Sequence, residues 1–210
     1  MGRVLGLDVS TKTIGIALFE NEGKKGRLLT LTHVTPKIKP RPTDSYELLL
    51  KKSKTFATEF LEKYSDSEIE KVIIEEPLMR SNNANTVATL AKFNGMISLW
   101  CYEILGVVPE FISSYDARKY GFPDLMEVRK VNKKGEPYSE KELAKSKPVL
   151  FGGYDFDVDK KMVVWEKVND LEPQIVWFYD KNVKLMKENF DMTDAYCCVM
   201  GAMRKQGLWE

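Results

Sequence analysis

Soft and imidazole metal ligands are scarce: the 210 residues contain one histidine, His33, and three cysteines, Cys101, Cys197 and Cys198. With no CxxC pair, the usual zinc sites are excluded, as is any nucleophilic triad that depends on two histidines. Three cysteines cannot all pair, which predicts a reducing, cytoplasmic compartment. No run approaches the roughly 18 apolar residues that a membrane span needs. The N-terminus opens directly on a strand pattern, so no signal peptide and no secretion are expected. Acid/base or metal chemistry is left to carboxylates and lysines.

An excess of either charge is also missing, with 32 Lys+Arg against 31 Asp+Glu and a formal charge of +1. Nucleic-acid-binding domains are often strongly basic, but the distribution matters more than the sum. Residues 24–54 hold nine basic residues against Asp44 and Glu47, and residues 118–147 hold nine against five acids. Either stretch alone is ordinary solvated surface. Together they permit basic surfaces around an acidic centre.

What is present reads as one α/β domain. Residues 3–9 alternate around Val4, Leu5 and Leu7, residues 13–19 are rich in β-formers, and Ser10, Thr11 and Lys12 make a tight connection between them. A third strand is expected over 28–34, after the Gly23-Lys24-Lys25-Gly26 turn, and the prolines at 36, 40 and 42 predict an extended surface linker. Asp44 or Ser45 caps a helix to about Tyr64, with Leu49, Phe56 and Phe60 near one face. The run Val72-Ile73-Ile74 predicts a buried strand, Asn83 caps a long helix to Leu105, and residues 107–113 suggest a short strand. The order so far is βββαβαβ. Periodicity then dissolves over 119–158, which reads as a charged insertion or arm, and helices are expected over 159–171 and 191–204. Residues 175–179 are expected to be buried.

Four acids stand where acids are costly. Asp8 ends an apolar strand, Glu75 ends another, and Asp191 and Asp194 are three apart, on one face of the last helix's first turn. Acids that lose hydration and repel one another are most cheaply explained by a bound divalent cation. Oxygen ligands without histidine or thiolate suit Mg²⁺ or Mn²⁺. Each acid also has an ordinary role, as a helix-start charge or a turn residue.

The stretch Gly6-Leu7-Asp8-Val9-Ser10-Thr11-Lys12-Thr13-Ile14-Gly15 resembles the first strand-turn-strand of the RuvC-type Holliday junction resolvases, a group of the ribonuclease H-like superfamily. Val72-Ile73-Ile74-Glu75-Glu76-Pro77 is similar to their second acidic strand end, residues 82–86 and 92–95 to their next helix, and Asp191-Met192-Thr193-Asp194-Ala195 to their closing D-x-x-D-A. The first motif also occurs in sugar kinases and other actin-like ATPases; the set in this order is specific. The resemblance implies a mixed five-stranded sheet, its first three strands antiparallel, flanked by helices. It implies an endonuclease of branched DNA, bacterial or phage-encoded, working as a homodimer with two Mg²⁺, for which Mn²⁺ can substitute. Asp8, Glu75, Asp191 and Asp194 would be both catalytic and metal-binding, with Glu76 the register alternative to Glu75.

Matches to the family's phosphate-contacting basic residues are Arg118 or Lys119 and Lys160 or Lys161. The sequence departs from the family at Leu78, where members often carry an aromatic that wedges the junction. Other substrates (an RNA-DNA hybrid, flap or fork) and a non-catalytic nucleic-acid-binding role remain alternatives. Trp100, Trp165, Trp177 and Trp209 could stack on unpaired bases or simply pack, and packing is the default for Trp100. Cys197 and Cys198 are expected to be buried small hydrophobes.

Overall fold

The computed structural model describes residues 2–77 and 83–210. Its centre is a five-stranded sheet in the order β3-β2-β1-β4-β5, formed by β1 (Arg3–Val9), β2 (Ile14–Asn21), β3 (Gly26–Val34), β4 (Ile69–Glu75) and β5 (Glu110–Ile112). The first three strands are antiparallel, and β4 and β5 continue parallel to β1. This is the mixed sheet expected from the sequence.

Helices cover both faces. On one lie α1 (Ser45–Glu59), a short 3-10 turn at Leu61–Tyr64 and α2 (Ala84–Leu105), packed on Leu5, Leu7, Ile16, Leu18, Val72 and Ile74. On the other lie α3 (Ser114–Gly121), α5 (Lys160–Leu171) and α6 (Glu188–Lys205), packed on Val4, Ala17, Phe19 and Ile73. Alternation along each strand feeds successive residues to opposite cores. The helix starts follow from capping: Asp44, Asn83, Ser113 and Asp159 each accept backbone N–H groups from their own first turns. Gly106, at φ 70°, ends α2 in the left-handed conformation.

Three expectations change. The last helix starts at Glu188, so Asp191 closes its first turn and Asp194 lies in the second. Its N-cap, Lys187, makes no side-chain cap, which leaves the true start without a sequence signal. The stretch 119–158 is partly built into the domain: Lys119 lies inside α3, and Phe122, Leu125 and Phe151 are buried against α6. Two short strands, β6 (Met126–Glu127) and β7 (Val149–Leu150), pair antiparallel, with the one-turn helix α4 (Glu140–Leu143) between them. Within 175–179 only Trp177 is buried, while Val176 is 83% exposed.

Trp177 and Trp209 are core residues: Trp177 meets Trp165 edge-on, and Trp209 meets Phe19. The three cysteines are buried and unpaired. Among the described residues no helix is long and apolar enough to cross a membrane.

Candidate active site

Strand alternation decides which acids meet. Val4 joins the α6 core while Leu5, Leu7 and Val9 join the opposite one, so Gly6 and Asp8 face α6. In β4, Ile73 faces α6 while Val72 and Ile74 face away, which puts Glu75 on the α6 side. The parallel register pairs Leu7 with Ile74. Asp8 and Glu75 therefore stand together at the C-terminal ends of neighbouring strands.

Two glycines let α6 close over them. A Cβ on Gly15, the cross-strand partner of Asp8, would come within 1.9 Å of the Asp191 carbonyl oxygen; one on Gly6 would come within 2.4 Å of the Ala195 carbonyl oxygen. Both contacts are far inside van der Waals range, so only glycine allows the backbone of α6 to lie this near the sheet. Asp191 and Asp194 are thereby delivered to the strand ends. All four acids line one cavity of about 410 Å³, together with Glu76, Ser114, Arg118 and Lys161.

The electrostatics are those of acids held close in reduced solvent. Burial, then the charges of Glu75, Asp194 and Asp191, hold the Asp8 carboxyl well above its usual range, against the pull of Lys161. Burial and Asp194 push Glu75 up to about 7, with Arg118 and Lys161 opposing. Burial pushes Asp191 up to about 6; Lys161 opposes, and Asp194 and Glu188 add to the rise. Two cations answer this charge. From α3, Arg118 Nη2 donates to Asp194 Oδ1 at 2.7 Å, and from α5, Lys161 Nζ lies 3.5 Å from Asp194 Oδ2. Burial works against the charge of each cation, yet the neighbouring acids hold both pKa values above their ordinary ones.

The donor set fits a hard divalent cation: four carboxylates, no sulfur, no imidazole, and protons retained on acids that a metal charge would release. Among the described residues no three such side chains are gathered as ready-made ligands. Both oxygens of Asp194 are engaged by Arg118 and Lys161 instead.

Of the basic residues singled out in the sequence, Arg118 and Lys161 line the cavity. Lys119 places its ammonium over the rings of Tyr115 and Tyr120, and Lys160 lies 5.9 Å from the Phe151 ring. Leu78 lies outside the described residues. Ser114 was missed from sequence, although the Ser113-Ser114 pair at a strand-to-helix junction was a capping signal. Lys12, Lys52 and Lys187, which border an adjoining cavity, were missed as well.

No protein-family model matches the chain, and no curated protein sequence does. Solved structures match over nearly its whole length. Thermus thermophilus RuvC in complex with Holliday junction substrate superimposes with a TM-score of 0.58 at 14% identity, covering 98% of this chain and 95% of that one. A second Thermus thermophilus RuvC structure gives 0.52 at 18% identity, covering 98% and 97%. Strand order, helix placement and these superpositions agree: the chain has the ribonuclease H-like fold in the form found in RuvC.

Proposed function

We propose that the protein is a divalent-metal-dependent endonuclease that cuts branched DNA, four-way junctions in particular, as a homodimer. The observation that carries this reading is the convergence of Asp8, Glu75, Asp191 and Asp194, from two strand ends and one helix, on a single cavity bordered by Arg118 and Lys161. It occurs in a fold whose matching solved structure was captured with a Holliday junction substrate.

Asp8, Glu75, Asp191 and Asp194 would hold two Mg²⁺, or Mn²⁺ in their place. Bound there, such a pair supplies an activated water and charge stabilisation for phosphodiester hydrolysis. The chain's own contribution is position and charge. Asp8 and Glu75 project from the sheet, where hydrogen-bonded register limits their movement. Arg118 and Lys161 neutralise Asp194 in the metal-free protein and, once released from it, present positive charge to phosphate oxygens. Burial and Asp194 push the Glu75 pKa up to about 7, so a bound cation would favour its ionised form.

The dimer is supported by α2, whose Leu99 and Tyr102 are 56% and 53% exposed large apolar side chains. A two-fold dimer would place two cavities on a two-fold junction.

The test is cleavage of a synthetic four-way junction, with fork, flap, RNA-DNA hybrid and linear duplex as competitors, in Mg²⁺, by wild type and Asp8→Asn, with light scattering to read the dimer. Junction cutting by the wild type alone is expected. Preference for another substrate would reassign the nuclease, and binding by both proteins with no cutting would make this a non-catalytic binding module.

A further inference from the structure

A second cavity, of about 480 Å³, opens across the β1–β2 connection from the carboxylates, between the N-terminal half of α1, the proline-containing stretch before it and α2. Its walls carry Lys12, Arg41, Lys52 and Lys92 and no carboxylate. Among the described residues none of these four has an acid at ion-pair distance. Lys52 Nζ donates to the Thr11 carbonyl oxygen at 2.5 Å, which ties α1 to the β1–β2 connection and holds the ammonium at the cavity wall. Burial, then the charges of Arg41 and Lys12, press the Lys52 pKa below its usual value.

This pocket is linked to the carboxylates through residues shared with a cavity between them. Lys12 and Lys52 also border an intermediate cavity of about 700 Å³, whose far wall includes Lys161 and Asp191. Those two residues belong to the carboxylate cavity as well. Lys187 and Glu188 add one charge of each sign to the intermediate cavity. Cations that have no acid at ion-pair distance among the described residues, one cavity away from the carboxylates, are suited to a polyanion that spans both.

We propose that the pocket formed by Lys12, Arg41, Lys52 and Lys92 binds a backbone phosphate of the DNA strand that leaves the carboxylate cavity. The identity of the strand rests on the nuclease reading above; the anion site rests on the pocket's own charge and geometry.

Binding of a fluorescent four-way junction and a linear duplex, in EDTA so that nothing is cut, is measured over a range of salt. Three proteins are compared: wild type, the double variant Lys12→Ala/Arg41→Ala, and the charge-matched control Lys133→Ala/Lys134→Ala. Among the described residues the first pair makes no side-chain hydrogen bond that would be lost, and melting curves check the fold of all three. Each lost phosphate contact lowers the slope of log K against log salt by about 0.9 on B-form DNA, so the pocket variant is expected to lose up to about 0.9 from the slope and bind at least about tenfold more weakly. The control should keep the wild-type slope.

Wild-type affinity and slope in the pocket variant, or an equal loss in the control, would overturn the proposal. ATP that displaces DNA from the wild type but not from the pocket variant would reassign the pocket to free nucleotides. A wild type that binds DNA without cutting it loses the endonuclease reading while the slope still scores the pocket; one that binds no DNA loses both.

Discussion

The two cavities on either side of the β1–β2 connection handle charge in opposite ways. On the α6 side, four carboxylates are met from within the chain by Arg118 and Lys161. On the α1 side, Lys12, Arg41, Lys52 and Lys92 share a cavity with no acid at all. Charge in the first is compensated within the chain; among the described residues, charge in the second is not. On the proposed reading, compensation inside the chain would separate a site that has to rearrange on binding from one already disposed to its ligand.

The largest effect should come from removing an acid. Asp8→Asn is expected to slow single-turnover junction cleavage at least about a thousandfold, about 4 kcal/mol of transition-state stabilisation, with junction binding in EDTA undiminished. Cleavage within tenfold of wild type would show that Asp8 is not a metal ligand. Next comes Arg118→Ala, which would make the acidic cavity resemble the basic pocket by leaving Asp194 without its main cation. Both partners are largely buried, and breaking such a pair costs about 3–5 kcal/mol. Denaturant unfolding should show that loss in the metal-free protein, and added Mg²⁺ should recover part of it; equal stability with and without Arg118 would mean the pair is not what quiets the site.

A backbone change separates the two cavities more cleanly. The 1.9 Å contact that Gly15→Ala would create with the Asp191 carbonyl forces α6 off the strand end, and a misplacement of about 1 Å costs on the order of a hundredfold in rate. Cleavage should fall by that much while the salt slope of DNA binding, set largely on the other side, stays near wild type.

The smallest effect is a pH dependence confined to the acidic side. Folding raises Glu75 from 4.5 to about 7 and Asp191 from 3.8 to about 6. Between those values the folded chain keeps protons that the unfolded chain has lost, so stability is greatest below the unfolded values and is lost as pH rises through the folded ones. The melting temperature in EDTA should fall across about pH 4 to 7. Mg²⁺ should flatten the fall and release protons on binding. An unchanged melting curve over that range would show that the acids are already ionised without metal.

Legibility in the sequence followed the range of the interactions. β1, β2 and β4 could be read because alternation, runs of β-formers and the apolar run at Val72–Ile74 are local signals, and α1 and α2 because Asp44 and Asn83 cap them from the adjacent turn. The start of α6 could not, since Lys187 offers no capping side chain and the first conspicuous acid, Asp191, lies a turn inside the helix. The stretch 119–158 looked aperiodic because its strands are two residues long and α4 four, too short to show a period. Its anchors Phe122, Leu125 and Phe151 pack with α6, distant in sequence. The basic pocket draws on positions 12, 41, 52 and 92, a spacing that no motif displays.

The sequence by itself determined the order of the main elements, because strand patterns and capping act within a few positions of the chain, and its local motifs singled out the four candidate acids. The tertiary structure decided the rest. Adjacent residues on a helix point about 100° apart, so only packing against α6 could select Arg118 over Lys119 and Lys161 over Lys160. Sheet register set Asp8 beside Glu75, the absence of a Cβ at Gly6 and Gly15 let Asp191 and Asp194 reach them, and the meeting of α1, α2 and the β1–β2 connection left four cations without an acid.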